Sequence, residues 1–102
     1  MARYLVSARI TGDLASLKQE LDTNAVEKLR PFGPSLHYSL QNARLTPEGI
    51  AIWEELDYCT PPLAQERRAV LDRYFSNIET KPVNEGEGWE RIKSYPLLWK
   101  SR

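Results

Sequence analysis

Three side chains in this sequence could do chemistry together: His37, Asp57 and Cys59. A histidine beside a cysteine can draw off the thiol proton and leave a thiolate nucleophile, with a carboxylate to orient the imidazole. His37 alone could serve as an acid-base group, because imidazole gains and loses its charge near neutral pH. A second set could bind rather than react. Trp53, Trp89, Tyr95 and Trp99 are of the types that anchor protein interfaces. Each has a plainer role beside it: Cys59 as a small packing residue, His37 on a solvated strand, the tail aromatics as part of a small core. The sequence holds no glycine-rich phosphate loop, no paired metal ligands and no nucleophile elbow, so no cofactor and no metal are expected.

Elements must bring such residues together. Residues 3–10, RYLVSARI, alternate with Tyr4, Val6, Ala8 and Ile10 on one side, which is strand spacing. Asp13 suits an N-cap, and Leu14, Leu17, Leu21, Val26 and Leu29 then make a helical stripe, with Asn24 placed to recap a second helix. Arg30-Pro31-Phe32-Gly33-Pro34 ends it. Residues 35–45 alternate again: Leu36, Tyr38 and Leu40 share one face, His37, Ser39 and Gln41 the other. In IAIWEELDYC, Ile50, Ile52, Leu56 and Tyr58 keep a period of two, with Glu54 as the exception.

The turn between these runs fixes their register. Pro47-Glu48-Gly49 reads as a three-residue hairpin loop, a type I turn followed by a left-handed glycine. Arg44 then faces Ile52, Asn42 faces Glu54, Leu40 faces Leu56, Tyr38 faces Tyr58 and His37 faces Cys59. A one-residue slip would scatter the apolar side chains. The same stretch has features of a helix start, with Thr46 as cap and Pro47 in the first turn. RLTPEG before an apolar run resembles the wing-to-helix junction of winged-helix repressors of the multiple-antibiotic-resistance type. That resemblance spans roughly a dozen residues; the chain begins with a strand, and no basic recognition helix precedes it.

After Cys59, Thr60 caps and Pro61 opens a second helix with the stripe Leu63, Val70, Leu71, Tyr74, Phe75 and Ile78. Its outer face carries Glu66, Arg68, Asp72 and Arg73. IETKPV is expected as a short edge strand. The order resembles the ferredoxin-like β-α-β-β-α(-β) plait, an α+β fold with two helices on one face of an antiparallel sheet. The resemblance implies that the helices cover Val6, Leu40 and Ile52. The open face then carries Leu5, Ser7 and Arg9 with His37, Trp53, Glu55 and Asp57, and Arg3 and Arg9 pair across strands with Glu55 and Asp57. Residues 1–102 form a single domain in this reading: a plait core over 1–83, a flexible loop over 84–88 and an aromatic-rich tail over 89–102.

Composition narrows the function. The 102 residues carry 14 Lys and Arg against 14 Asp and Glu, with 41% hydrophobic and 27% charged residues, values ordinary for a soluble globular chain. With no basic excess, a nucleic-acid partner is not expected. One cysteine excludes an internal disulfide, and no apolar run suits a secretion signal or a membrane span, so a cytoplasmic location is the default. The expected function is a non-catalytic protein-interaction module that self-associates, through the open sheet face or the tail, into a homodimer. The alternative is a small dimeric α/β-barrel enzyme, similar to plait-type monooxygenases or isomerases, enclosing a small-molecule ligand and using His37 with Asp57 or Cys59. The further alternative is a winged-helix DNA-binding protein.

Overall fold

The computed structural model describes residues 2–99, and the fold is α+β. Among the described residues, four antiparallel strands, β1 (Ala2–Ile10), β2 (Arg44–Leu45), β3 (Ile50–Asp57) and β4 (Phe75–Val83), form one sheet in the order β2-β3-β1-β4, accompanied by four α-helices. Strand β1, Ala2–Ile10, is central, and its alternation is the expected one: Val6 and Ala8 are buried in the core. Its partner β3, Ile50–Asp57, sets Trp53 opposite Val6 and Ala51 opposite Ala8. Directly opposed residues share a face. Trp53, Glu55 and Asp57 therefore lie on the core side with Val6, the reverse of the expected facing. Trp53 is fully buried, its indole 5.4 Å from the ring of Phe75, and is no surface anchor. The alternation in β3 misleads because both faces carry large apolar groups, and the indole offers the larger area to bury.

The hairpin forms as read. Thr46 N–H donates to the Ile50 carbonyl and Gly49 N–H to the Thr46 carbonyl, both at 2.9 Å. Gly49 has φ +82°, the left-handed region that glycine enters at no steric cost. Arg44 pairs with Ile52, but β2 is only Arg44–Leu45. The preceding residues are helix α2, Gly33–Gln41, not a strand. Leu40 thus does not face Leu56, nor Tyr38 Tyr58, nor His37 Cys59. Leu36 and Leu40, four apart, share a helix face as readily as a strand face, and both are fully buried. The edge of β3 beyond the short β2 is closed by a side chain: the Ser39 hydroxyl donates to the Glu54 carbonyl at 2.7 Å. Residues 46–57 are turn and strand, so the winged-helix junction is absent as well.

Helix α1, Leu14–Asp22, starts where the cap predicts, with Asp13 accepting from Ala15 N–H at 2.9 Å, and buries Leu14, Leu17 and Leu21. Asn24 does not recap a second helix. It adopts φ +62°, and the chain continues in turns to α2. The long helix expected after Cys59 also breaks up. Helix α3 is Ala64–Ala69, a 3-10 turn follows at Leu71–Arg73, and Phe75–Val83 is strand β4. Pairing with β1 holds β4 extended, with Ile10 opposite Phe75 and Val6 opposite Thr80.

The loop over 84–88 is not open chain throughout, because helix α4, Glu87–Ile92, begins inside it. The tail beyond returns to the body. Leu98 is fully buried and its N–H donates to the Ala43 carbonyl at 2.8 Å. Leu45 N–H donates to the Pro96 carbonyl at 2.9 Å, and the Trp99 indole to the Leu40 carbonyl at 2.8 Å. Trp89, Tyr95 and Trp99 are each half-buried. No helix among the described residues is long and apolar enough to cross a membrane.

Candidate functional site

The end of β3 gathers acids. Glu55 and Asp57 point to the core side, and Glu66 reaches them from α3. All three are buried, Glu55 to 0% and Glu66 to 1% exposure. One donor atom from each of Asp57, Cys59 and Glu66 falls within 4.8 Å of the others. The Cys59 thiol donates to Glu66 Oε1 at 3.6 Å.

Local structure explains the gathering. Leu63 opens α3 with φ +64°, which costs a branched side chain about 1–2 kcal/mol. Asp57 Oδ2 accepts from Leu63 N–H at 2.5 Å, and the Leu63 side chain is fully buried, two gains that offset the strain. The tight entry turns α3 so that Glu66 points inward. The outer-face placement expected for Glu66 is thus corrected. One signal of this was in the sequence: Leu63, Glu66 and Val70 lie at i, i+3 and i+7, on the apolar stripe itself.

The cluster is short of donors. Glu55 Oε1 accepts from the Trp53 indole at 3.1 Å, but its Oε2 is buried and without a partner. Glu66 Oε2 is in the same position, since a neighbouring carboxylate supplies no hydrogen unless the pair itself holds a proton. Burial pushes the Glu66 carboxyl up to about 7, and the proton it shares with Asp57 adds to the effect. Asp57 moves the opposite way. Burial opposes its charge, but hydrogen bonds from the Glu66 carboxyl and Leu63 N–H outweigh that and hold it below the ordinary value. Burial, then the charge of Glu66, raises Glu55 well above the carboxylate range, although the Trp53 indole favours its anion. Burial and the nearby carboxylates also push the Cys59 thiol up.

The cluster opens on a cavity of about 170 Å³ whose wall includes Pro31, Phe32, Leu56, Asp57, Cys59 and Glu66. Pro34, Ser35 and Leu56 also line a groove of about 540 Å³ between α2 and α4, whose rim carries Tyr38 and Trp89 in an edge-to-face pair at 6.2 Å. A larger depression of about 670 Å³ beside Asp13, Lys18 and Trp99 lies away from this chemistry. Its polar groups are already engaged: Asp13 caps α1, Lys18 pairs with Asp22 and the Trp99 indole is bonded. No protein-family model, no curated protein and no solved structure matches this chain.

Of the three residues expected to react, the structure brings Asp57 and Cys59 together and leaves His37 out. His37 is buried on α2, its Nδ1 without a partner, and neither lines the cavity nor belongs to the group of close donors. Its place is taken by Glu66. The ion pairs expected of Arg3 and Arg9 with Glu55 and Asp57 give way to Arg3 with Glu54 at 3.2 Å.

Proposed function

We propose that this chain binds a small organic ligand in the groove between α2 and α4, with the Asp57–Cys59–Glu66 cluster at its inner end. The observation that carries this reading is the fully buried Glu66 carboxyl, whose second oxygen is reached by no donor outside the cluster, in a cavity whose wall also holds the apolar side chains of Pro31, Phe32 and Leu56. A mostly apolar recess with a few convergent polar groups is the usual form of a ligand site. Tyr38, 59% exposed, supplies an aromatic face at the entrance. The frame is read as a ferredoxin-like plait. The antiparallel order β2-β3-β1-β4 supports that, as do the helices inserted between β1 and β2 and between β3 and β4.

Screening a set of small aromatic and carbonyl compounds by amide chemical shifts tests the proposal. Binders should move Ser35, Tyr38, Leu56 and Trp89 together, and Tyr38→Ala should weaken them several-fold. Shifts confined to other surfaces, or none across the set, would remove the ligand reading.

A second reading, self-association through the sheet, is favoured by half-exposed Ile50 and Ile52 beside Arg9 and Glu79 on the part of the second face beyond α4. Near zero net charge offers little repulsion between copies. Sedimentation of the chain and of Ile52→Lys distinguishes it: a dimer that the lysine dissociates supports this surface, and a monomer at high concentration ends it.

A further inference from the structure

We infer that Asp57, Cys59 and Glu66 form a binding site for a borderline divalent transition metal of the Zn²⁺, Fe²⁺ or Co²⁺ type, with one coordination position left open toward the groove. The inference deepens the ligand-binding reading by naming what occupies the acidic end, yet the two can fail separately.

The donor geometry comes first. Tetrahedral bonds of about 2.0–2.3 Å place neighbouring donors roughly 3.3–3.8 Å apart. Cys59 Sγ and Glu66 Oε1 are 3.6 Å apart, and the donor atoms of all three residues lie within 4.8 Å of one another. Small side-chain rotations close that set on one ion. Asp57 is held in place by Leu63 N–H, so the backbone of the α3 entry fixes one ligand before any metal arrives.

The second observation is independent of this spacing. Glu66 is 1% exposed and no donor outside the cluster reaches its Oε2, a costly arrangement for a buried acid. Glu55 Oε2, close by, is unsatisfied too. Among the described residues no ion pair is made by Glu55, Asp57 or Glu66. Arg3 is the cation felt by Glu55, but its guanidinium is paired with Glu54 and Glu85. Three buried acids and a thiol with no cation of their own are the environment that a metal ion neutralises.

The chemistry of the donors selects the metal. A thiolate is too soft for Mg²⁺ or Ca²⁺, and two carboxylates with one thiolate suit the later, borderline divalent ions. On binding, Cys59 forms a metal–sulfur bond, and its proton, with any held between Asp57 and Glu66, passes to solvent. Three protein ligands leave a fourth position, and the cavity of about 170 Å³ lies beside all three. That is the arrangement of metal sites that admit water or substrate, not of closed structural sites.

The test uses the full chain, stripped of metal by a chelator and titrated with Co²⁺. The expected result is saturation at one equivalent with a thiolate-to-cobalt charge-transfer absorption, erased by Zn²⁺ and untouched by excess Mg²⁺. Cys59→Ser should abolish that absorption, and Glu66→Gln should weaken Co²⁺ binding by about ten-fold or more. Glu85→Gln, at the exposed rim, should change neither. Tyr38→Ala, which strips only the groove entrance, should also leave the cobalt spectrum intact, so a failed groove and a failed metal site give different results. Thermal melts confirm that each variant is folded. A folded wild-type chain without the charge-transfer absorption overturns the inference, and so does an absorption that survives Cys59→Ser.

Discussion

Glu54 and Glu55 are neighbours on one strand and have opposite fates. Glu54 points to the second sheet face and is fully provided for. Its carboxylate accepts from Gly86 N–H at 2.9 Å, Gly88 N–H at 2.8 Å and Trp89 N–H at 3.2 Å, and pairs with Arg3. It ties the start of α4 to the sheet, where a negative group also complements the helix end. Glu55 points to the core side, has one donor for two oxygens, and faces Asp57 and Glu66, which are of its own sign. Burying a carboxylate costs several kcal/mol unless it is paired and hydrogen-bonded. The first carboxylate is a joint of the fold. The second and its partners are a cost that the fold bears, and such costs concentrate where a site must be ready for something else.

The contrast can be broken at either end, and the largest effect should come from the joint. Glu54→Ala leaves three backbone N–H groups without their acceptor and Arg3 with only the exposed Glu85. It should destabilise the chain by about 3–5 kcal/mol, read from denaturant midpoints, with α4 amides the first to exchange. A loss below 1 kcal/mol, within the range of exposed pairs, would dismiss Glu54 as the joint. Gly88→Ala attacks the same joint from the helix. An added Cβ would lie 2.9 Å from Glu54 Oε1 and 3.3 Å from Leu5 Cδ1, so a cost of about 1–3 kcal/mol is expected in the same assay. At the other end, Glu66→Gln keeps the shape, removes a like charge and offers Asp57 an N–H. The metal-free chain should be unchanged or more stable by up to about 1 kcal/mol; a loss of several kcal/mol would mean the acid is structural after all.

The smallest effect sharpens the comparison with a buried hydroxyl that does have its carboxylate. Tyr74 donates to Glu20, and burial followed by that bond raises its phenol above the ordinary 10.0, with Arg73 opposing and Asp13 adding slightly. A raised folded value means stability that is fully present below the unfolded value and lost as pH rises through the folded one. Denaturant midpoints should therefore fall above pH about 10, and Tyr74→Phe should flatten that fall. An equally steep alkaline fall in the phenylalanine variant would assign the effect elsewhere.

Much of this was legible in the residues. Asp13 announces the start of α1, and the spacing around Pro47–Gly49 gives both the turn and the Arg44–Ile52 register. Asp57 and Cys59 were within reach, since both stand where β3 ends. Glu66 was hidden by its charge, because a carboxyl on an amphipathic helix is normally solvated. His37 lies away from the cluster because residues 33–41 are helical, and apolar residues four apart fit a helix and a strand alike.

What the sequence by itself determined are features whose cause is local: the capped start of α1, the hairpin whose glycine alone accepts φ +82°, and the alternation of β1. Tertiary structure decided the rest. Residues 33–41 are helical because Ser39 and the returning tail close the sheet edge that a longer β2 would have covered. Residues 75–83 are extended because β1 offers them a free edge to pair with. Apolar residues four apart satisfy a strand and a helix alike, so those two segments wait for their neighbours to choose. The acidic cluster waits in the same way, since only the packing of α3 against the end of β3 brings Glu66 to Asp57 and Cys59.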